Sequence, residues 1–143
     1  MSTMRICLDI DDTIFGVDVW DSSKPYNNQY LIEGAIESIQ EMQAQGFEIV
    51  LYSSRADDAK TRKDTIAQLK AFSVPFDGLI LGKPQFDLFV DNKAERFKGA
   101  WSREGTEVLI RLARRNRKLD EKRYAELMHK HTEPTSITSA PAS

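Results

Sequence analysis

The sequence predicts an α/β domain of three layers, a mostly parallel sheet flanked by helices. Three observations carry this. Apolar runs of strand length alternate with stretches of helical periodicity in the order β-α-β-α-β-β, which requires crossover connections. The first of these runs shows little polar alternation, as expected of a parallel strand covered on both faces. Each run also ends in a polar residue with a chemical use, and open α/β sheets bind ligands at the carboxyl ends of their strands.

The elements follow in order. Residues 5–10, "RICLDI", form the first strand, with Cys7 inside it as a small buried apolar residue. Residues 14–30 contain Gly16, Pro25 and adjacent asparagines and read as a loop or small flap, in which Trp20 and Tyr26 line the entrance or pin the loop. From Leu31 onward, Ile32, Ala35, Ile36, Ile39 and Met42 recur at helical spacing, and Gly46 stops the helix. "FEIVLYSSR" is the second strand. A helix with an acidic first turn follows from residue 57 or 58 to 72, with Ile66, Leu69 and Phe72 facing inward. "GLILGKP" is a short third strand and "DLFVDNKA" a fourth. Residues 1–102 therefore make the core. Residues 103–131 carry many Arg and Lys residues interleaved with leucines, one or two amphipathic helices with a basic outer face, and the Ser/Thr/Pro/Ala-rich residues 132–143 read as a disordered tail.

Composition bounds the function. At 143 residues the chain is one domain, and 41% hydrophobic with 29% charged residues is ordinary for a soluble globular protein. A net charge of −2 gives no chain-wide attraction to nucleic acid or anionic membrane. No apolar run spans a bilayer, and the N-terminus is a poor signal peptide. A single cysteine excludes an internal disulfide framework, so the chain reads as cytoplasmic.

The strand ends bring together Asp9 and Asp11 from the first strand, Ser53 and Arg55 from the second, Lys83 from the third and Asp91 from the fourth. Clustered carboxylates repel unless a cation sits among them, and Mg²⁺ is the hard, oxygen-seeking ion that suits them and phosphate alike. Ser53 and Lys83 add a donor and a positive charge suited to a phosphoryl group. An aspartate can attack phosphorus, with a second acid two residues away on the same side of the chain handling protons.

These same segments carry a family resemblance. "DIDDT" resembles the DxDxT motif of the haloacid dehalogenase (HAD) superfamily, and "IVLYSSR" its second motif, ending at Ser53. Lys83 in "LGKP" resembles the third motif, and "DLFVDNKA" the acidic fourth. The four occur in the family's order, and their sequence context is similar to that of small capless members, the capsule-biosynthesis and sugar-phosphate phosphatases. The resemblance implies a Rossmann-like core without an inserted cap domain. It implies Asp9 as nucleophile, Asp11 as general acid/base, Ser53 as a hydrogen bond to the phosphoryl group and Lys83 as its charge balance. Mg²⁺ would be held by Asp9, the backbone carbonyl of Asp11, and Asp91, with Asn92 standing where a second acid is common. Thr13 would support the turn, and Asp12 reads as turn chemistry. Arg55 would contact substrate or cap the next helix.

The expected activity is Mg²⁺-dependent hydrolysis of a phosphomonoester, a sugar phosphate or other phosphorylated metabolite. An open site also suits a nucleotidase or a polynucleotide-end phosphatase, or an oligomer whose neighbour closes it; nucleic acid is the less favoured partner. A quiet binding protein using the basic helix is the reading from another class. A receiver-type domain has similar groups in the wrong order: here the middle strand ends in Ser53 and an acid follows the lysine.

Overall fold

A computed structural model describes residues 2–18, 23 and 28–132 of the chain, with no side-chain description for the last two. Trp20, Tyr26 and residues 133–143 lie outside the described residues. The elements are β1 (Arg5–Leu8), β2 (Phe15–Val17), β3 (Gln29–Leu31), α1 (Ala35–Ala44), β4 (Glu48–Tyr52), α2 (Ala59–Ala71), β5 (Gly78–Ile80) and α3 (Arg103–Thr132). β1, β4 and β5 form a parallel sheet in that order, and β2 and β3 form a separate antiparallel ribbon. The protein is thus an α/β fold with a parallel sheet. No helix among the described residues is long and apolar enough to cross a membrane.

Register explains the core. Leu8 lies beside Leu51, and Leu51 beside Leu79, so one face of the sheet presents these three with Ile49. All are buried, together with Ala35, Ile39 and Met42 of α1 and Leu69 of α2. The opposite face holds Cys7, Val50, Tyr52 and Ile80, which are half-buried or exposed. The expectation of a sheet covered on both faces is therefore corrected, and so is the burial of Cys7: the thiol is exposed.

Local chemistry sets the element ends. Asp58 caps α2, its carboxylate accepting from the Thr61 N–H at 2.7 Å. Gly34 at the start of α1 has φ of 85°, and a Cβ there would lie 2.9 Å from the Trp101 carbonyl oxygen, so only glycine fits. α1 therefore starts at Ala35, four residues later than its apolar period suggests, because Leu31 belongs to β3. The loop expected at residues 14–30 contains a hairpin, in which the ring of Tyr30 lies where a Gly16 side chain would be.

Two larger corrections follow. The fourth strand is not formed: residues 82–100 contain no regular element, and Phe86, Leu88, Phe89 and Val90 are exposed. The apolar run signals a need for burial, but a strand also needs a neighbour to satisfy its backbone. Here Lys93 is drawn instead to Asp120 of α3. The basic extension is one helix, and its beginning is core rather than appendage. Ile110 is buried, and the Thr106 hydroxyl donates to Ser38 Oγ of α1 at 2.8 Å. Arg117 Nη1 donates to the Ser2 carbonyl at 2.9 Å, and residues 118–130 are exposed throughout.

Candidate active site

The chain leaves β1 into a tight turn. The Ile10 carbonyl accepts from the N–H groups of Ile14 at 2.8 Å and Phe15 at 3.1 Å, and Ile10 and Ile14 are fully buried. Asp12 takes a positive φ of 63°, a conformation aspartate tolerates, and its N–H donates to the Phe15 carbonyl at 2.7 Å. Its reading as a turn residue agrees with this. Thr13 is buried, and its carbonyl accepts from Trp101 Nε1 at 2.7 Å, tying the turn to the segment before α3. Asp9 and Asp11 thus project from a rigid frame.

Asp9 accepts from the Ile10 N–H at 2.9 Å and lies 3.4 Å from Lys83 Nζ. Its side chain is 40% exposed, enough for a ligand to reach it. Burial pushes Asp9 above the usual carboxylate range, with Lys83 and the Ile10 N–H acting in the opposite direction. Lys83 also sits 5.3 Å from the centre of the Tyr52 ring. The β5 end places it there, the Lys83 N–H donating to the Ser53 carbonyl at 2.9 Å.

Asp11 is held differently. Arg55 grips it with both arms of the guanidinium, Nη2 to Oδ1 at 2.8 Å and Nε to Oδ2 at 3.0 Å. The same guanidinium reaches Gln68 Oε1 at 2.8 Å, Gln29 Oε1 at 3.0 Å and Thr65 Oγ1 at 3.2 Å. Burial of Asp11 opposes its charge, but the Arg55 hydrogen bonds and charge, with the Gln29 amide, outweigh it and hold Asp11 below the usual carboxylate range. Arg55 is buried, with its side chain 1% exposed, so neither the substrate contact nor the helix cap expected of it is what the structure shows. It serves Asp11.

Ser53 is fully buried, and its Oγ accepts from the Arg55 N–H at 3.1 Å. It lies behind the open surface and orients the turn that delivers Arg55. The structure therefore gathers Asp9, Asp11, Ser53, Arg55 and Lys83, while Asp91 is exposed in residues 82–100 with its carboxylate toward the Lys93 N–H at 3.4 Å. Gln29 and Gln68 were not foreseen. Only tertiary contact identifies them, since glutamine in a strand or helix has no sequence signature.

A divalent cation needs several hard oxygens converging on one point. Of the expected set, Asp9 offers a part-exposed carboxylate, Asp11 would act through its backbone carbonyl while Arg55 holds its side chain, and Asp91 is exposed in the irregular residues 82–100. Among the described residues no group of three acidic, histidine or cysteine side chains is placed to hold a metal ion.

Chemically, the arrangement offers an accessible carboxylate beside an ammonium, and a second carboxylate kept ionised. The latter suits accepting a proton better than donating one.

Neither a family model nor a curated protein matches the chain. The fold is similar to that of a structural-genomics target from Vibrio cholerae seen in a crystal structure, with a TM-score of 0.57 and 24% identity over 76% of this chain and 97% of the other. At that identity the likeness speaks for the fold alone.

Proposed function

We propose that the chain is a phosphomonoester hydrolase with a HAD-like, Rossmann-type core, acting through an aspartyl-phosphate on Asp9. The observation that carries the reading is the half-exposed Asp9 carboxylate 3.4 Å from Lys83, with Asp11 fixed by Arg55 two residues along. In the first step Asp9 Oδ attacks phosphorus, the bond to the leaving oxygen breaks as that oxygen takes a proton from solvent water, and Lys83 balances charge on the transferring group. In the second, water attacks the same phosphorus, its proton passes to Asp11 and from there to solvent, and the bond to Asp9 breaks, releasing phosphate. Ser53 acts by holding the Arg55 turn.

The substrate class is a sugar phosphate or other small phosphorylated metabolite. A nucleotidase or polynucleotide-end phosphatase is the second reading, favoured by the exposed stretch of α3 with Lys118, Lys122 and Arg123. The test is hydrolysis of p-nitrophenyl phosphate, sugar phosphates, nucleotides and 3′-phosphorylated oligonucleotides, with and without Mg²⁺. Turnover that disappears in Asp9→Asn supports the proposal. No turnover on any of them, or full turnover in Asp9→Asn, contradicts it.

A further inference from the structure

The β2–β3 hairpin meets the site through one side chain. Gln29 is the first residue of β3, paired in register with Val17. Its Nε2 donates to Asp11 Oδ1 at 2.6 Å, and its Oε1 accepts from Gln68 Nε2 at 2.6 Å and Arg55 Nη2 at 3.0 Å. These partners fix the amide's orientation: the oxygen faces two donors, so the nitrogen must face the carboxylate. Two chain segments, β3 and the turn after β4, thereby converge on one carboxylate oxygen, and α2 braces both through Gln68. The hairpin is itself bound to the Asp11 turn through the backbone, with Asp12 N–H to the Phe15 carbonyl at 2.7 Å and Ile32 N–H to the Ile14 carbonyl at 2.8 Å.

We propose that Gln29 is a positioning residue: it sets the direction of the Asp11 carboxylate that receives the proton of the attacking water, with Gln68 holding Gln29 in turn. Arg55 holds both Asp11 oxygens from one side. The Gln29 amide adds a donor from a second element to the same Oδ1, so the carboxylate is aimed from two directions. The inference rests on the aspartyl-phosphate reading. A base displaced by about 1 Å can cost on the order of 100-fold in rate.

The step affected is the second one, in which the water oxygen bonds to phosphorus, the Asp9–phosphorus bond breaks and the proton moves to Asp11. With p-nitrophenyl phosphate the first step needs no proton for its leaving group, so a poorly aimed Asp11 slows only the release of phosphate. Gln29→Met keeps the side chain's length and removes the amide. It should lower kcat about 10- to 100-fold, with a raised fraction of acid-quenched enzyme carrying phosphate on Asp9. A residue that only stabilised the hairpin would lower the folded fraction without raising phosphoenzyme per folded molecule. Gln68→Met, which leaves Gln29 in place, should show the same signature to a smaller degree, and it decides the matter if Gln29→Met does not fold. Unchanged kcat, or reduced kcat without phosphoenzyme accumulation, overturns the positioning role. Full turnover in Asp9→Asn overturns the aspartyl-phosphate reading itself.

Discussion

Replacing Arg55 with methionine removes a guanidinium that donates to Asp11, Gln29, Thr65 and Gln68. Methionine approximates its aliphatic stem, so the loss is chiefly polar. Breaking a buried ion pair from one side typically costs about 3–5 kcal/mol, because the remaining charge is left uncompensated. Asp11 is one-third exposed, with its side chain at 33%, and water can recover part of that. Each acceptor that loses the guanidinium and stays buried without another donor adds roughly 1–3 kcal/mol, while Gln29 Oε1 keeps the Gln68 amide. These terms overlap, and we expect a net loss of about 3–4 kcal/mol, a large part of the roughly 5–15 kcal/mol that holds a domain together. Urea unfolding at pH 7 measures it from the shift in midpoint at constant slope. The sign of the pH dependence is fixed as well. Asp11 lies below its unfolded value, so its contribution is fully present above the unfolded pKa and is lost as pH falls through the folded one. The wild-type advantage over Arg55→Met should therefore narrow on acidification. A difference below about 1 kcal/mol at pH 7, the range of surface pairs, would refute the claim that Arg55 clamps Asp11.

Other perturbations separate the two acids and test the frame. Asp9 is pushed up by burial, so its ionisation opposes folding and stability falls as pH rises through the carboxylate range; Asp9→Asn should leave the thermal midpoint equal or higher at pH 7 while abolishing turnover, and a clear drop in the midpoint would contradict this. Because Asp11 is held ionised, leaving groups that need a proton should react slowly: aryl phosphates with acidic phenols should exceed alkyl phosphates in kcat/KM by more than about 100-fold, the usual worth of a general acid. Equal rates would show that Asp11 donates freely. Gly34→Ala forces a side chain against the Trp101 backbone at a positive φ; it should cost at least about 1–2 kcal/mol in chemical unfolding. Ending the chain after residue 118 should leave stability within about 1 kcal/mol, since residues 119–130 are exposed, whereas ending it after residue 102 removes buried Ile110 and Thr106 and should abolish cooperative unfolding.

Periodicity and turn chemistry made β1, β4, α1 and α2 legible, along with the placing of Asp9, Asp11, Ser53 and Lys83 at strand ends, because each depends on residues close in the chain. What depends on partners was hidden. The run "DLFVDNKA" has strand character, yet its backbone finds no neighbouring strand, and Asp91 is exposed on an irregular segment. The hairpin strands are three residues each, too short to show a period, and their pairing depends on the absent side chain of Gly16. Cys7 alternates onto the poorly covered face of the sheet, which a four-residue strand cannot announce. Arg55 was noticed, but its role was visible only once Asp11 was found 2.8 Å from it.

The central claim is that Asp9 takes the phosphoryl group. Acid-quenching the enzyme during turnover of p-nitrophenyl phosphate, followed by peptide mass spectrometry, tests it most directly. The account predicts an acyl phosphate on Asp9, absent from Asp9→Asn. Turnover with no phosphate on Asp9, or with phosphate on another side chain, would contradict it.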